Sequence, residues 1–125
     1  MIVNKIGEYQ NEILFFKEYS IDPNYDIYNI VNAIINNGYN INYINIKENS
    51  DVDCKQYPFD YSVEKFLDMY GELDKSEINH YNIRFISDEV KTLLYDPNTN
   101  IATLYPIDKN FELSDLIEKK IKNNL

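Results

Sequence analysis

The segment that most constrains the fold covers residues 22–46, because it combines a helix start, a helix stop and a dense apolar pattern. Asp22 and Pro23 suit the N-cap and the first helical position, and Gly38 can adopt the left-handed conformation that ends a helix. Between them, apolar residues recur at steps of three and four, which places them on one side of a helix. The pattern predicts a helix over residues 23–37 that packs on a sheet.

Strands are predicted on both sides of this helix. Residues 12–21 alternate in polarity and are rich in β-forming side chains, and residues 39–46 have the same character. A helix between two such strands predicts a β-α-β unit with parallel strands and a right-handed crossover. For residues 1–10 the sequence fits either a short helix or an irregular arm, because Gly7 interrupts a helical spacing of apolar residues.

A second helix is predicted after a loop over residues 47–59. Asp60 or Ser62 can cap its start, and Gly71 can close its end. Four apolar residues at the i, i+3, i+4 and i+7 positions form its inner side: Val63, Phe66, Leu67 and Tyr70. A polar connector over residues 73–79 then leads to a half-buried strand in which Tyr81, Ile83 and Phe85 alternate with polar residues.

The last third of the chain predicts a hairpin and a helix. Residues 90–95 and 101–107 flank an Asp-Pro-Asn-Thr-Asn turn, and Pro106 marks a strand end. A helix over residues 88–95 is the alternative, and the β-branched and aromatic content ranks it second. Ser114 is the predicted cap of a final helix with acidic residues early and lysines late.

The predicted order is β-α-β-α-β-β-β-α, which indicates a single α+β domain over residues 1–125. It would hold a mixed sheet of about five strands with three helices packed on it. A chain of 125 residues is one domain by size, and an apolar fraction of 44% is typical of a folded protein. There is neither an 18-residue apolar run nor an apolar signal-peptide core, and Cys54 is the only cysteine. We therefore expect a cytoplasmic protein that does not contact a membrane.

The sequence offers little for catalysis, metal binding or cofactor binding. The only histidine, His80, is far from Cys54, and no local spacing joins a nucleophile to a base. The turn after residue 95 begins like a calcium-binding loop, but Ile101 and Ile107 replace the glycine and glutamate that such a loop needs. Phosphate-binding glycine motifs are also missing. We expect no cofactor, no metal site and no enzymatic activity.

Charge points to a protein partner. The net charge is −9 and there is one arginine, which disfavours direct nucleic-acid binding. Residues 48–77 contain nine acidic residues and three lysines, so this quarter of the chain carries −6. The predicted partner-binding residues are acidic and aromatic side chains of this segment: Asp51, Asp53, Tyr57, Asp60, Tyr61, Glu64, Asp68, Glu72 and Asp74.

These observations predict an acidic inhibitor or immunity-type protein that binds a basic, nucleic-acid-acting protein such as a nuclease or toxin. The alternative is that the acidic segment is a solvated surface with no binding role. A second function class is a small enzyme or ligand-binding domain with a pocket that uses His80, Arg84, Cys54 and a tyrosine. A third is a homo-oligomeric structural subunit with a tyrosine-rich surface.

Overall fold

The computed structural model describes residues 2–48, 62–72, 74–86, 89–106 and 108–117. The strands are β1 (Val3–Gln10), β2 (Phe15–Ile21), β3 (Asn40–Glu48), β4 (Ile78–Ile86), β5 (Val90–Asp96) and β6 (Ile101–Tyr105). The helices are α1 (Ile27–Asn36), α2 (Val63–Met69) and α3 (Leu113–Ile117). Short 3-10 turns follow α2 at Tyr70–Glu72 and Lys75–Glu77.

The six strands form one sheet in the order β1-β2-β6-β5-β4-β3, and every neighbouring pair is antiparallel. This confirms an α+β single-domain fold with three helices, but the predicted five-stranded mixed sheet is wrong. The strands on either side of α1 are β2 and β3, and three other strands lie between them in the sheet. A helix between two strands does not determine whether those strands are neighbours, and here hairpin partners occupy the intervening positions.

The first ten residues hold the strand that the sequence did not predict. β1 pairs with β2 through a tight turn in which the Asn11 side chain accepts hydrogen bonds from the Ile13 and Leu14 amides, at 2.8 and 2.7 Å. The register shifts between Lys5 and Gly7, which is a β-bulge. A bulge adds one residue to the period-two pattern, so the alternation typical of a strand is hidden in the sequence. The turn also explains why β2 begins at residue 15 and not at residue 12.

The start of α1 differs from its prediction, whereas its end agrees. Asp26, not Asp22, is the N-cap, and Asp26 and Asn29 form a reciprocal capping box. Asp22 instead accepts a hydrogen bond from the Asn24 amide in the preceding turn. At the other end Gly38 has a φ of +84°, the left-handed conformation expected after a helix.

The core lies between one face of the sheet and the helices. The strand registers align buried residues in rows across five strands, and one row consists of Tyr19, Ala102, Tyr95, Tyr81 and Ile46. The buried side of α1 joins the same core through Ile27, Ile30, Val31, Ala33 and Ile34. No helix over the opposite sheet face is present in the described ranges, and we call that surface the open face.

The remaining local predictions have mixed outcomes. The β5–β6 hairpin is confirmed, with Asn100 in the left-handed region at a φ of 59°, and β6 ends before Pro106 as expected. Gly71 does not close α2, because it lies inside the 3-10 turn that continues the helix. Ser114 does not cap α3, since that helix begins one residue earlier. In the described part of the chain, no helix is long and apolar enough to cross a membrane.

Candidate protein-binding site

The position of α2 follows from its amphipathic sequence. The Ser62 hydroxyl accepts a hydrogen bond from the Lys65 amide at 3.2 Å, so Ser62 is the cap that starts the helix. Phe66 is fully buried, and its ring centroid lies 6.0 Å from that of Tyr81 on β4. Val63 and Leu67 pack beside it, half-buried. The inner side of α2 is therefore fixed on the sheet, and its polar side faces solvent.

That polar side carries an acidic strip, which we define as Glu64, Asp68 and Glu72. All three side chains are exposed. Glu64 and Asp68 are one helical turn apart, and Glu72 follows in the adjoining 3-10 turn. In the parts of the chain that the structure describes, no salt bridge involves any of the three. The strip therefore presents three negative charges without a salt bridge, on α2 and on the 3-10 turn that follows it.

The other predicted partner-binding residues fall into two groups. Asp74 is exposed, but its Oδ1 accepts hydrogen bonds from the Ser76 amide at 3.0 Å and from the Ser76 hydroxyl at 2.7 Å. It therefore also has a local structural role in the turn before β4. Five predicted residues lie outside the described residues: Asp51, Asp53, Tyr57, Asp60 and Tyr61.

A half-buried tyrosine, Tyr70, joins α2 to the start of α1. The Tyr70 hydroxyl donates a hydrogen bond to Asp26 Oδ2, the carboxylate that caps α1. Burial raises the pKa of Tyr70 above its usual value, and the hydrogen bond to Asp26 raises it further. The Tyr28 ring also packs on Tyr70 at a centroid distance of 5.4 Å. These contacts join α2, and with it the acidic strip, to the start of α1.

The open face has a shallow depression of about 320 Å³ beside His80. It is lined by Asn79, His80, Leu94, Asp96, Thr99, Ile101 and Thr103. His80 is half-buried, and its Nδ1 lies 2.8 Å from Asn79 Oδ1. Burial lowers the pKa of His80, nearby Lys47 lowers it further, and Asp96 opposes them.

The predicted pocket is only partly assembled. His80 and Arg84 alternate with the buried residues of β4, so both lie on the open face, but Arg84 does not line the depression. Cys54 lies outside the described residues. Within those residues, no three or more His, Cys, Asp or Glu side chains are grouped as metal ligands would be.

The sequence analysis missed a buried ionic network. Lys17 is fully buried in β2, and its Nζ donates to the carbonyl oxygens of Lys109 and Phe111 at 2.6 and 2.8 Å and to Glu112 Oε1 at 2.9 Å. The Tyr19 hydroxyl donates to Glu112 Oε2 at 2.6 Å. Burial alone would raise the pKa of Glu112, but the hydrogen bonds from Tyr19, Lys17 and Lys5 lower it to about 2.

This network has the character of a structural anchor. Three acceptors from the chain itself satisfy the three donors of the Lys17 ammonium group, so none is left for a ligand. The contacts attach residues 109–112 to β2 and thereby position α3. A sequence indication existed, because Lys17 stands at an inward position between Phe15 and Tyr19, and a buried lysine needs a carboxylate or carbonyl partner.

No protein-family model matches this chain, and neither a curated protein nor a solved structure matches it.

Proposed function

We propose that this protein is a non-catalytic inhibitor or immunity-type protein that binds a basic protein through the acidic strip of α2. The observation that carries the proposal is the strip itself: three exposed carboxylates on one anchored element, with no salt bridge to them among the described residues. Carboxylates held in a fixed arrangement attract and orient a basic surface at little ordering cost.

The energetics of α2 support a role beyond folding. Like charges at the i and i+4 positions destabilise a helix by about 0.2–0.5 kcal/mol per pair. Glu64 and Asp68 are such a pair, and Glu72 adds a third negative charge one turn further on. A charge pattern that weakens a seven-residue helix is better explained by an intermolecular contact than by the stability of the fold.

The class of partner follows from charge. A chain of −9 with its densest negative charge in residues 48–77 attracts basic proteins, and basic patches are typical of proteins that act on nucleic acid. The acidic strip would compete with phosphates for such a patch. We place this interaction in the cytoplasm, in keeping with the single cysteine.

The test is affinity capture at low salt with two variants of equal charge. The first is Glu64→Lys/Asp68→Lys/Glu72→Lys. The control reverses three exposed acidic residues elsewhere, Glu12→Lys/Glu77→Lys/Asp115→Lys. A basic protein retained by the wild type and the control, but lost by the strip variant, supports the proposal. Equal retention by both variants, or retention of acidic proteins alone, contradicts it.

The depression at His80 favours a second candidate function, the binding of a small polar ligand. Its lining combines an imidazole, a carboxylate and two threonine hydroxyls with the apolar side chains of Leu94 and Ile101. Asn82, two residues further along the same face, has a buried Oδ1 without a hydrogen-bond partner in the described residues. A small polar compound that raises the Tm of the wild type but not of Thr103→Val would support this function. If no polar compound discriminates between the two, the depression is a surface feature only.

A further inference from the structure

One edge of the sheet is formed by β1, whose only partner among the described strands is β2. It is eight residues long, and long edge strands are the usual sites at which another chain adds to a sheet. The question is whether β1 has features that select a particular chain.

Exposed apolar side chains are concentrated at this edge. Ile6 is 53% exposed, Tyr9 47%, Leu14 42% and Ile13 96%. These are four of the six large apolar side chains that are exposed in the described part of the chain, and all lie on β1 or its turn. The Asn11 hydrogen bonds fix the backbone of the turn that carries Ile13 and Leu14. Such clusters usually mark contact surfaces.

The charge of this edge differs from that of the rest of the protein. Residues 2–17 contain two lysines and two glutamates and are therefore neutral, although the chain as a whole carries −9. A basic partner would be drawn to other parts of the surface. A second copy of this chain, also carrying −9, meets the least repulsion here.

The β-bulge gives β1 a symmetric arrangement of faces. Residues three apart in a regular strand point to opposite faces. Because the register shifts between Lys5 and Gly7, Lys5 lies opposite Tyr19 and Glu8 lies opposite Lys17, which are both on the helix-covered face. Counted outward from the middle of β1 in either direction, the side chains therefore lie on the two sheet faces in the same order.

We propose that two copies of this chain pair through β1, antiparallel, about a two-fold axis between Ile6 and Gly7. In that register Lys5 lies opposite Glu8 of the second copy, on the same face, and the contact occurs twice by symmetry. Ile6 lies opposite Gly7 of the second copy, whose position is covered by the Tyr9 ring of its own chain; a Cβ on Gly7 would come within 2.7 Å of the Tyr9 hydroxyl oxygen. Ile6 thus meets an aromatic ring, and the two six-stranded sheets join into one.

Bulges and charged residues on an edge strand usually prevent pairing. In a regular strand, a two-fold axis between two residues would place side chains from opposite sheet faces across from each other. The bulge in β1 corrects this, so paired residues lie on the same face. The charges of Lys5 and Glu8 each have an opposite charge across the axis. Within one chain Lys5 contacts Glu8 at 2.9 Å and Glu112 at 3.0 Å, and Glu8 also lies 3.9 Å from Lys17. The side chains of Lys5 and Glu8 nevertheless remain 41% and 48% exposed. Both are therefore accessible to a second copy.

The first test measures the mass of the full chain by light scattering after size exclusion, from micromolar to millimolar concentration. We expect the mass of two chains for the wild type and of one chain for Ile6→Lys. The matched control is Ile35→Lys on α1, another exposed isoleucine, which should stay dimeric. A wild type that is monomeric throughout overturns the proposal, and so does a dimer that survives Ile6→Lys.

The second test asks for the register. Lys5→Glu and Glu8→Lys each place like charges across the axis, so each variant alone should be at least tenfold weaker in self-association. An equimolar mixture of the two places opposite charges at both positions and should form a heterodimer. Lys5 and Glu8 also contact Glu112 and Lys17 of their own chain, so the thermal unfolding of both charge variants is measured first. If both variants and Ile6→Lys are folded, Ile6→Lys is monomeric and the mixture gives no heterodimer, this register is wrong and the proposal fails.

Discussion

Tyr70 and Asp26 lie 44 positions apart in the sequence, yet the Tyr70 hydroxyl donates a hydrogen bond to the carboxylate that begins α1. The same residue ends α2 and follows the acidic strip residue Asp68 by two positions. The geometry of the candidate site therefore depends on a contact between two helices as well as on the helix that carries the charges.

Replacing Tyr70 with Phe tests this dependence. The change keeps the ring but removes the hydroxyl, so we expect a loss of about 1.5–3 kcal/mol, typical of a hydrogen bond to a charged group. Amide hydrogen exchange in α2 should become faster, while the centre of α1 should change little. Tyr28→Phe is the control, since its half-exposed ring packs on Tyr70 from the outside. Equal effects of both variants on α2 would show that the hydroxyl does not hold the helix.

The Lys17–Glu112 network predicts a specific acid sensitivity. The pKa of Glu112 is lowered from 4.5 to about 2, so its contribution to stability is complete above pH 4.5 and declines as the pH falls towards 2. Glu112→Gln should cost about 1–3 kcal/mol at neutral pH, because the buried Lys17 loses its carboxylate. The variant should also show a weaker decline in unfolding free energy between pH 4.5 and 2 in urea titrations. An unchanged decline would mean that other carboxylates cause the acid sensitivity.

The core position of α1 predicts a large effect at Ile34. This side chain is fully buried, so Ile34→Ala should destabilise the protein by about 2–5 kcal/mol through lost burial and a cavity. The exposed Asn36 is the control, and Asn36→Ala should change the unfolding free energy by less than about 0.5 kcal/mol. Urea denaturation of both variants gives the comparison. A tolerated Ile34→Ala would mean that this side of α1 is not packed on the sheet.

Asn37 behaves differently from its neighbour. From the pattern alone both asparagines stand at the end of a helix and should tolerate alanine. In the structure the Asn37 side-chain amide donates to the Ala33 and Leu116 carbonyl oxygens, at 2.7 and 2.9 Å, and so joins α1 to α3. Asn37→Ala should therefore cost about 1–2 kcal/mol in the same denaturation experiment. A cost as small as that of Asn36→Ala would show that this link adds nothing to stability.

The correct predictions depended on local evidence, although three local signals, the Asp22 cap, the Gly71 stop and the Ser114 cap, were wrong. The Gly38 stop, the Ser62 cap and the turn around Asn100 each depend on a few adjacent residues, and the structure confirms all three. Sheet order depends on contacts between distant residues, so the position of β2 far from β3 was not visible. The bulge in β1 concealed a whole strand for the same reason that it matters to the proposed dimer: it breaks the period-two pattern.

The candidate site divides in the same way. The exposure of Glu64, Asp68 and Glu72 followed from their positions opposite the apolar side of α2, and the structure agrees. The link from Tyr70 to Asp26 and the network around Lys17 join residues far apart in the chain. Neither the Tyr70–Asp26 hydrogen bond nor the Lys17 network has a local sequence pattern. The inward position of Lys17 in its strand was the one indication of that network.

The measurement that tests the central claim most directly is the association rate constant of the captured basic partner as a function of salt. For the wild type we expect fast association that slows steeply as NaCl is raised, because screening weakens electrostatic steering. Reversing the charges of Glu64, Asp68 and Glu72 should lower the low-salt rate constant by about 10-fold or more and flatten the salt dependence. The equal-charge control, with Glu12, Glu77 and Asp115 reversed, should retain most of the low-salt rate constant and most of its salt dependence. If the strip variant and the control give the same rates at every salt concentration, the acidic strip of α2 is not the binding surface.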